Sequence, residues 1–287
     1  MNQFSFRTAL RIVRRAVSAF ALCGFWVSMA SAQAAQPAPA KDDSARVTET
    51  QVDSTIKDDD AVKKMLGAYS PKVRELSTVI GTLKDELRKG GVGAGSLGNF
   101  VTDGLLVEAR KKPGKTVLAI TNAGGLRKNV MSEGDIRMSD IWELLPFENA
   151  LVQFDLTGEQ LLNLLNQVLS HGDAQSGARI VYRVGADNKS QMVGARLLVN
   201  GREEDINPHA TYTIVSIDYL WKRQSTTPSD FEGNYSVLGK ASRIEPLNLT
   251  MRDTMIQYVK DETAAGRSIK ANLDGRFRQE STEPGRP

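Results

Sequence analysis

The stretch that most constrains this chain is a short apolar run that stops abruptly in glycine. Thr116-Val117-Leu118-Ala119-Ile120-Thr121 has the length and β-branched content of a buried strand. Asn122-Ala123-Gly124-Gly125 follows directly, placing an amide side chain and two residues free to take φ > 0 at the strand's carboxyl end. Open α/β sheets usually bind ligands at that end. Arg127 adds a fixed charge with a planar donor fork. A bare Gly-Gly pair is more often a plain turn beside a solvated charge, so the loop alone does not decide between turn and site.

The weight shifts with Leu145 to Asn149, LPFEN. Phe147 follows Pro146 in a loop, and Asn149 comes two residues later. An exposed aromatic ring can stack on a base, an amide can read a base edge, and an arginine can hold a ribose or phosphate oxygen. Together Asn122, Gly124, Gly125, Arg127, Phe147 and Asn149 describe a nucleoside pocket.

TNAGGLR, LPFEN and the upstream SLGNFVTDGLL (Ser96 to Leu106) resemble the C-terminal domain of the 5'-nucleotidase family. The similarity runs from about Asp59 to about Phe277. The resemblance implies an α+β fold, a mixed sheet with flanking helices, over residues 59–277. It further implies that this domain carries the nucleoside site. A separate N-terminal metallophosphoesterase domain would hold two divalent metals and perform hydrolysis, so no cofactor is expected on the present chain. Asn99 and Asp103 match the family motif, as ligand contacts or as polar groups that fix a helix that Ser96 can cap and that runs to about Arg110. One departure follows Tyr219-Leu220. The family continues there into Gly-Gly-Asp-Gly-aromatic, whereas this chain reads Trp221-Lys222-Arg223-Gln224-Ser225. Trp221, Phe231 and Tyr235 are the candidates for a substitute aromatic wall, each equally open to a packing role.

The N-terminus reads as a secretory leader over residues 1–34. Arg7, Arg11, Arg14 and Arg15 precede the apolar Ala16 to Met29, and Ala32-Gln33-Ala34 supplies a small-x-small cleavage site. The apolar segment is short for a membrane span, so none is expected. A periplasmic or secreted protein follows. Lipid anchoring through Cys23, the single cysteine, is disfavoured because Leu22 precedes it. The leader also distorts the charge balance. Taking its four arginines from 37 Lys and Arg leaves 33 basic residues against 34 acidic ones, no footprint for nucleic-acid binding.

Residues 35–58 have linker composition, and 278–287 a polar tail. Asp58-Asp59-Asp60 suits a helix start, with Val62, Met65 and Leu66 at helical spacing, Pro71 as an interruption, and continuation over Val73 to Ile80. Gly90 to Gly95 reads as a flexible loop, since the Lys-Ser/Thr of a P-loop is missing. Asp140 and Glu143 have capping-box spacing in a helical turn from Ser139 to Leu145, with Trp142 expected in the core. A strand over Ala150 to Leu156 leads into a helix capped by Thr157 and Gln160. That helix has a buried stripe of Leu161, Leu164, Leu165 and Val168 and ends at Gly172. Strands are predicted over Arg179 to Val184, Ala195 to Val199 and Thr211 to Ile217, with a tight turn at Asn200-Gly201 and a final helix from about Thr250 to Ala264.

Two-metal phosphoester hydrolysis needs clustered Asp, His and Asn ligands. His171 and His209 are the only histidines, and neither lies in such a context. No catalytic and no metal-ligating residue is assigned. Whether the protein acts in an enzyme is left undecided among three readings. The first is an exported nucleoside- or nucleotide-binding module. The second is half of a split 5'-nucleotidase completed in trans by a metallophosphoesterase chain. The third is a degenerate structural or interaction domain.

Overall fold

The computed structural model describes residues 49, 51, 53, 55–222 and 235–280. The expected leader with Cys23, most of the expected linker, Phe231 and residues 281–287 lie outside them. The chain divides into two units, Met1–Lys57 and Asp58–Pro287. In the first, the Thr55 N–H and hydroxyl both donate to Asp53 Oδ1, at 2.8 and 2.6 Å.

The second unit begins with two short helices, α1 (Asp60–Gly67) and α2 (Ser70–Leu76). Asp59 caps the first, accepting from the N–H groups of Ala61 and Val62. The interruption expected at Pro71 falls just before it, between Gly67 and Ser70. Pro71 itself sits in the first turn of α2, where its missing N–H has no helical partner to lose. The continuation to Ile80 is also corrected: the helix stops at Leu76, and Val79–Leu83 forms strand β1. The Ile80 carbonyl there accepts from Thr263 Oγ1 at 3.0 Å, a tertiary contact that helical geometry would forfeit.

Strand β2 (Leu87–Arg88) leads into a 3₁₀ turn, Val92–Ala94, and then helix α3 (Gly95–Arg110). Ser96 lies inside α3 rather than capping it, and its Oγ accepts from the Arg88 N–H at 2.9 Å. Next come β3 (Thr116–Thr121), a second 3₁₀ turn (Ala123–Gly125), β4 (Val130–Met131), β5 (Gly134–Arg137) and helix α4 (Met138–Leu144). Asp140 caps α4 by accepting from the Arg137 N–H, not by pairing with Glu143. Both carboxylates hold Lys128 Nζ, at 3.1 and 2.7 Å.

Strand β6 (Ala150–Thr157) and helix α5 (Gly158–His171) follow the expected pattern. Thr157 and Gln160 exchange capping bonds, Leu161, Leu164, Leu165 and Val168 are fully buried, and Gly172 closes the helix at φ 66°. Each such side chain contributes about 1.5–3 kcal/mol by leaving water. The remaining elements are β7 (Ala174–Ser176), β8 (Ala178–Val184), β9 (Ser190–Val199), β10 (Arg202–Asp205), β11 (Thr211–Ile217), α6 (Tyr219–Lys222), β12 (Ser242–Thr250), α7 (Met251–Ala264) and β13 (Phe277–Gln279). Strand β13 pairs in parallel with β8 and so carries order past residue 277.

Four sheets result. The largest has the order β12-β6-β11-β3-β7, with β11 and β3 parallel and the other neighbours antiparallel. The second is β10-β9-β8-β13, and two small pairs are β1-β5 and β2-β4. Helix α5 packs on β6, and α3 packs on β3 and α7. The α+β mixed-sheet class is therefore what the chain adopts. Because β3 and β11 run in parallel while β6, on the far side of β11, runs the other way, the ends of β3 and β11 meet the start of β6 at one edge.

Candidate functional site

At that edge lies a cavity of about 320 Å³ lined by Asn122, Gly124, Gly125, Arg127, Phe147, Asn149 and Tyr219. The volume falls in the range of small-molecule sites. All six residues singled out from sequence share it. Asn122, Gly124, Gly125 and Arg127 come from the end of β3, and Phe147 and Asn149 from the loop before β6. Tyr219 comes from the end of β11, between them.

The first wall is a compact turn. The Gly125 N–H donates to the Asn122 carbonyl at 3.1 Å, and the Leu126 N–H to the Ala123 carbonyl at 3.1 Å. Neither Gly124 nor Gly125 has a positive φ. Their expected left-handed freedom is not used. What the turn uses is small size, because a Cβ on Gly125 would stand 3.1 Å from Asn122 Oδ1. From behind, Asp173 holds the turn: its Oδ1 accepts from the Ala123 N–H and its Oδ2 from the Tyr235 hydroxyl, each at 2.7 Å. Burial pushes the Asp173 carboxyl above the usual aspartate range, although the Ala123 and Tyr235 hydrogen bonds and His171 pull the other way. The Tyr235 phenol is pushed well up by its own burial and by the adjacent carboxylate.

The second wall is the LPFEN loop. One backbone bond ties it to the first, from the Arg127 N–H to the Leu144 carbonyl at 2.9 Å. Arg252, 4% exposed, anchors the loop from below. Its Nη1 donates to the Leu145 and Pro146 carbonyls at 3.4 and 3.3 Å, and its guanidinium lies 3.6 Å from the Trp142 ring centroid. Trp142 is thus not a core residue. It is 40% exposed and covered by a cation. Phe147 is left 47% exposed, with the Arg127 guanidinium 5.9 Å from its centroid. Asn149 is 9% exposed, held at its backbone by the Met251 N–H at 2.8 Å.

The third side, Tyr219, has no local signal beyond its position directly after a strand. Asp173 and Arg252 were equally invisible, because each acts on a loop remote in sequence. Of the expected substitute walls, Trp221 packs edge-on against Phe154 with centroids 5.0 Å apart, and Tyr235 is buried against Asp173. Asn99 and Asp103 fix helices: Asn99 Nδ2 donates to the Asn272 carbonyl, while Asp103 accepts from Ser176 and Arg276. Among the described residues, no group of three or more His, Cys, Asp or Glu is arranged to hold a metal ion. His171 stands edge-on to Tyr235, with centroids 5.0 Å apart. No helix among the described residues is long and apolar enough to cross a membrane.

Comparison with known proteins agrees with this architecture. The family model for the 5'-nucleotidase, C-terminal domain matches residues 79–228, an interval that contains every residue lining the cavity. The trifunctional nucleotide phosphoesterase protein YfkN of Bacillus subtilis is 30% identical over 195 residues, which cover 64% of this chain and 12% of that protein. Cell wall protein Lmo0130 of Listeria monocytogenes is 27% identical over 194 residues, 63% of this chain and 23% of that one. Among solved structures, the 5'-nucleotidase precursor from Thermus thermophilus superposes with a TM-score of 0.62 at 24% identity, covering 78% of this chain and 43% of the other. That likeness concerns fold. The chain therefore spans less than half the length of these relatives, and it belongs to the 5'-nucleotidase C-terminal domain family.

Proposed function

We propose that this protein is an exported nucleoside- or nucleotide-binding domain that does not hydrolyse its ligand by itself. The observation that carries the reading is the convergence, on one cavity, of an exposed aromatic ring, two amide side chains and one arginine from two separate sequence motifs. Phe147 would stack on the base, Asn149 would meet a base edge, Asn122 would complete the polar wall, and Arg127 would take a ribose or phosphate oxygen. Gly124 and Gly125 would keep the turn low enough for the ligand to approach the backbone. The leader-like N-terminus supports export to the periplasm or beyond.

A second reading is half of a 5'-nucleotidase completed in trans by a metallophosphoesterase chain; what supports it is membership of the 5'-nucleotidase C-terminal domain family together with a cavity suited to a nucleoside. In that reading the metals and the hydrolytic step belong to the other polypeptide.

The test is calorimetric titration of the purified protein with adenosine, AMP and UDP-glucose, with and without divalent metal. Saturable, metal-independent binding is expected. Phe147→Ala should weaken it by about tenfold to a hundredfold, the usual value of one base–aromatic stack, and Arg127→Ala should weaken it too. No binding at millimolar ligand would overturn the proposal and leave a structural or interaction domain that keeps the family fold.

A further inference from the structure

We infer that helices α1 and α2 form a self-association surface, on which a second copy of this chain lies antiparallel about a two-fold axis near Leu66. The inference is independent of the nucleoside-binding reading. It starts from what the two helices leave uncovered. Asp59 caps α1 and Pro71 opens α2, so the sequence specifies helix here, yet no residue of either is buried. Helices of eight and seven residues are marginal in water unless one face is packed.

The face that asks for packing is apolar. Val62, Met65, Leu66, Tyr69 and Val73 follow a helical spacing and are each 47–65% exposed. A contiguous exposed patch of this kind marks a contact surface. A groove of about 480 Å³ runs from Asp58 and Asp59 past Val62, Leu66 and Gly67 to Arg74, so α1 and α2 present one surface. Nothing stands within 4 Å of a Cβ placed on Gly67, which leaves room for close approach beside the axis. The surface also has a fixed base. Arg137 Nη1 donates to the Ser77 carbonyl at 2.8 Å, and the Met138 N–H donates to the Thr78 carbonyl at 3.0 Å.

The charges select the occupant. Asp58, Asp59 and Asp60 stand at one end of the surface, Lys72 and Arg74 at the other. When two copies lie antiparallel with Leu66 on the axis, residues equally far from Leu66 on its two sides meet. Asp58 then meets the second copy's Arg74, and Asp60 the second copy's Lys72, each pair formed twice by symmetry. A parallel arrangement would instead bring the aspartates of both copies together, which like-charge repulsion opposes. Within one copy Asp58 lies 3.6 Å from Lys63, but both side chains are largely exposed and such a pair is weak enough to exchange. Self-complementarity of this kind is required of a surface that meets itself and of no other occupant.

Sedimentation equilibrium of the purified protein should show a reversible monomer–dimer equilibrium, with a dissociation constant on the order of micromolar as suits a small interface. Leu66→Glu sets two carboxylates at the axis and should weaken the dimer about a hundredfold or more. Arg74→Glu sets an acid against Asp58 at both ends and should weaken it about tenfold. Combining Asp58→Arg with Arg74→Glu should restore the wild-type constant within about threefold, a recovery specific to the antiparallel register. A further measurement does not depend on the charged variants folding. With Cys23→Ser removing the single native thiol, Leu66→Cys should form an intermolecular disulfide on mild oxidation, whereas Val107→Cys, on the exposed side of α3, should not. A monomeric wild type overturns the inference, whether residues 1–57 or a different protein covers the groove. So does a dimer that survives Leu66→Glu, a double variant no tighter than Arg74→Glu alone, or a Leu66→Cys chain that does not cross-link.

Discussion

Two glycine-rich turns, similar in composition, differ in what their glycines do. Around Val92–Ala94, Gly91, Gly93 and Gly95 all adopt positive φ, and Gly93 lies under the Phe277 ring so closely that a Cβ would fall 2.3 Å from its Cε2. At Ala123–Gly125 both glycines have ordinary φ, and their nearest neighbour is the Asn122 amide, a pocket side chain. The first turn holds the fold together by handedness and close packing; the second shapes a surface. Its support comes from outside, through the Asp173 carboxylate on the Ala123 N–H. A glycine count alone does not distinguish these roles. The surroundings of each Cβ do.

Substitution should separate the two turns sharply. Gly93→Ala combines a disfavoured backbone with overpacking against Phe277, and should cost about 3 kcal/mol of stability, read from urea unfolding. A loss under about 1 kcal/mol would remove the contrast. Asp173→Asn tests the external support through pH. The Asp173 carboxyl is raised in the folded state, so wild type gains stability at low pH and loses it as pH climbs through the folded value. The asparagine variant cannot titrate, so the gap in melting temperature between the two proteins should change between the ordinary aspartate range and that raised value. A constant gap would show that the carboxyl is not shifted. The smallest effects belong to the pocket turn. Gly125→Ala should cost about 1 kcal/mol or less in stability yet displace the Asn122 amide and weaken nucleoside binding, while Gly124→Ala, whose Cβ would meet Asn122 Nδ2 at 3.5 Å, should do neither. Stability loss at Gly125 as large as at Gly93 would make the two turns alike.

The parts of this molecule that were legible in the sequence are those written in local neighbours. Thr157 and Gln160 cap α5 because their spacing permits it, and the Leu161 to Val168 stripe faces inward because its period matches the helix. The six pocket residues were found together because two short motifs place them just after β3 and just before β6. What the sequence hid was set by long-range partners. Ser96 looked like a cap and instead receives the Arg88 N–H. Trp142 looked like core until Arg252 was placed on its face. Gly90 to Gly95 read as flexible because Phe277, whose ring fixes it, lies almost at the other end of the chain. Asp173, Tyr219 and Arg252 reach the cavity through tertiary contacts that no spacing rule encodes.

The parallel pairing of β3 with β11 also bears on the order of folding. Thr116 is partnered with Thr213 far along the chain, and every residue from α4 to β10 must be threaded or set aside before that pairing closes. Contacts of such sequence separation form late, because loop closure is unfavourable until other interactions offset it. The cavity needs the ends of both strands at once. During synthesis, the Asn122 and Phe147 walls emerge long before the third, and the cavity is complete only when β11 slots between them; ligand capture would then report the insertion of that middle strand rather than any earlier step.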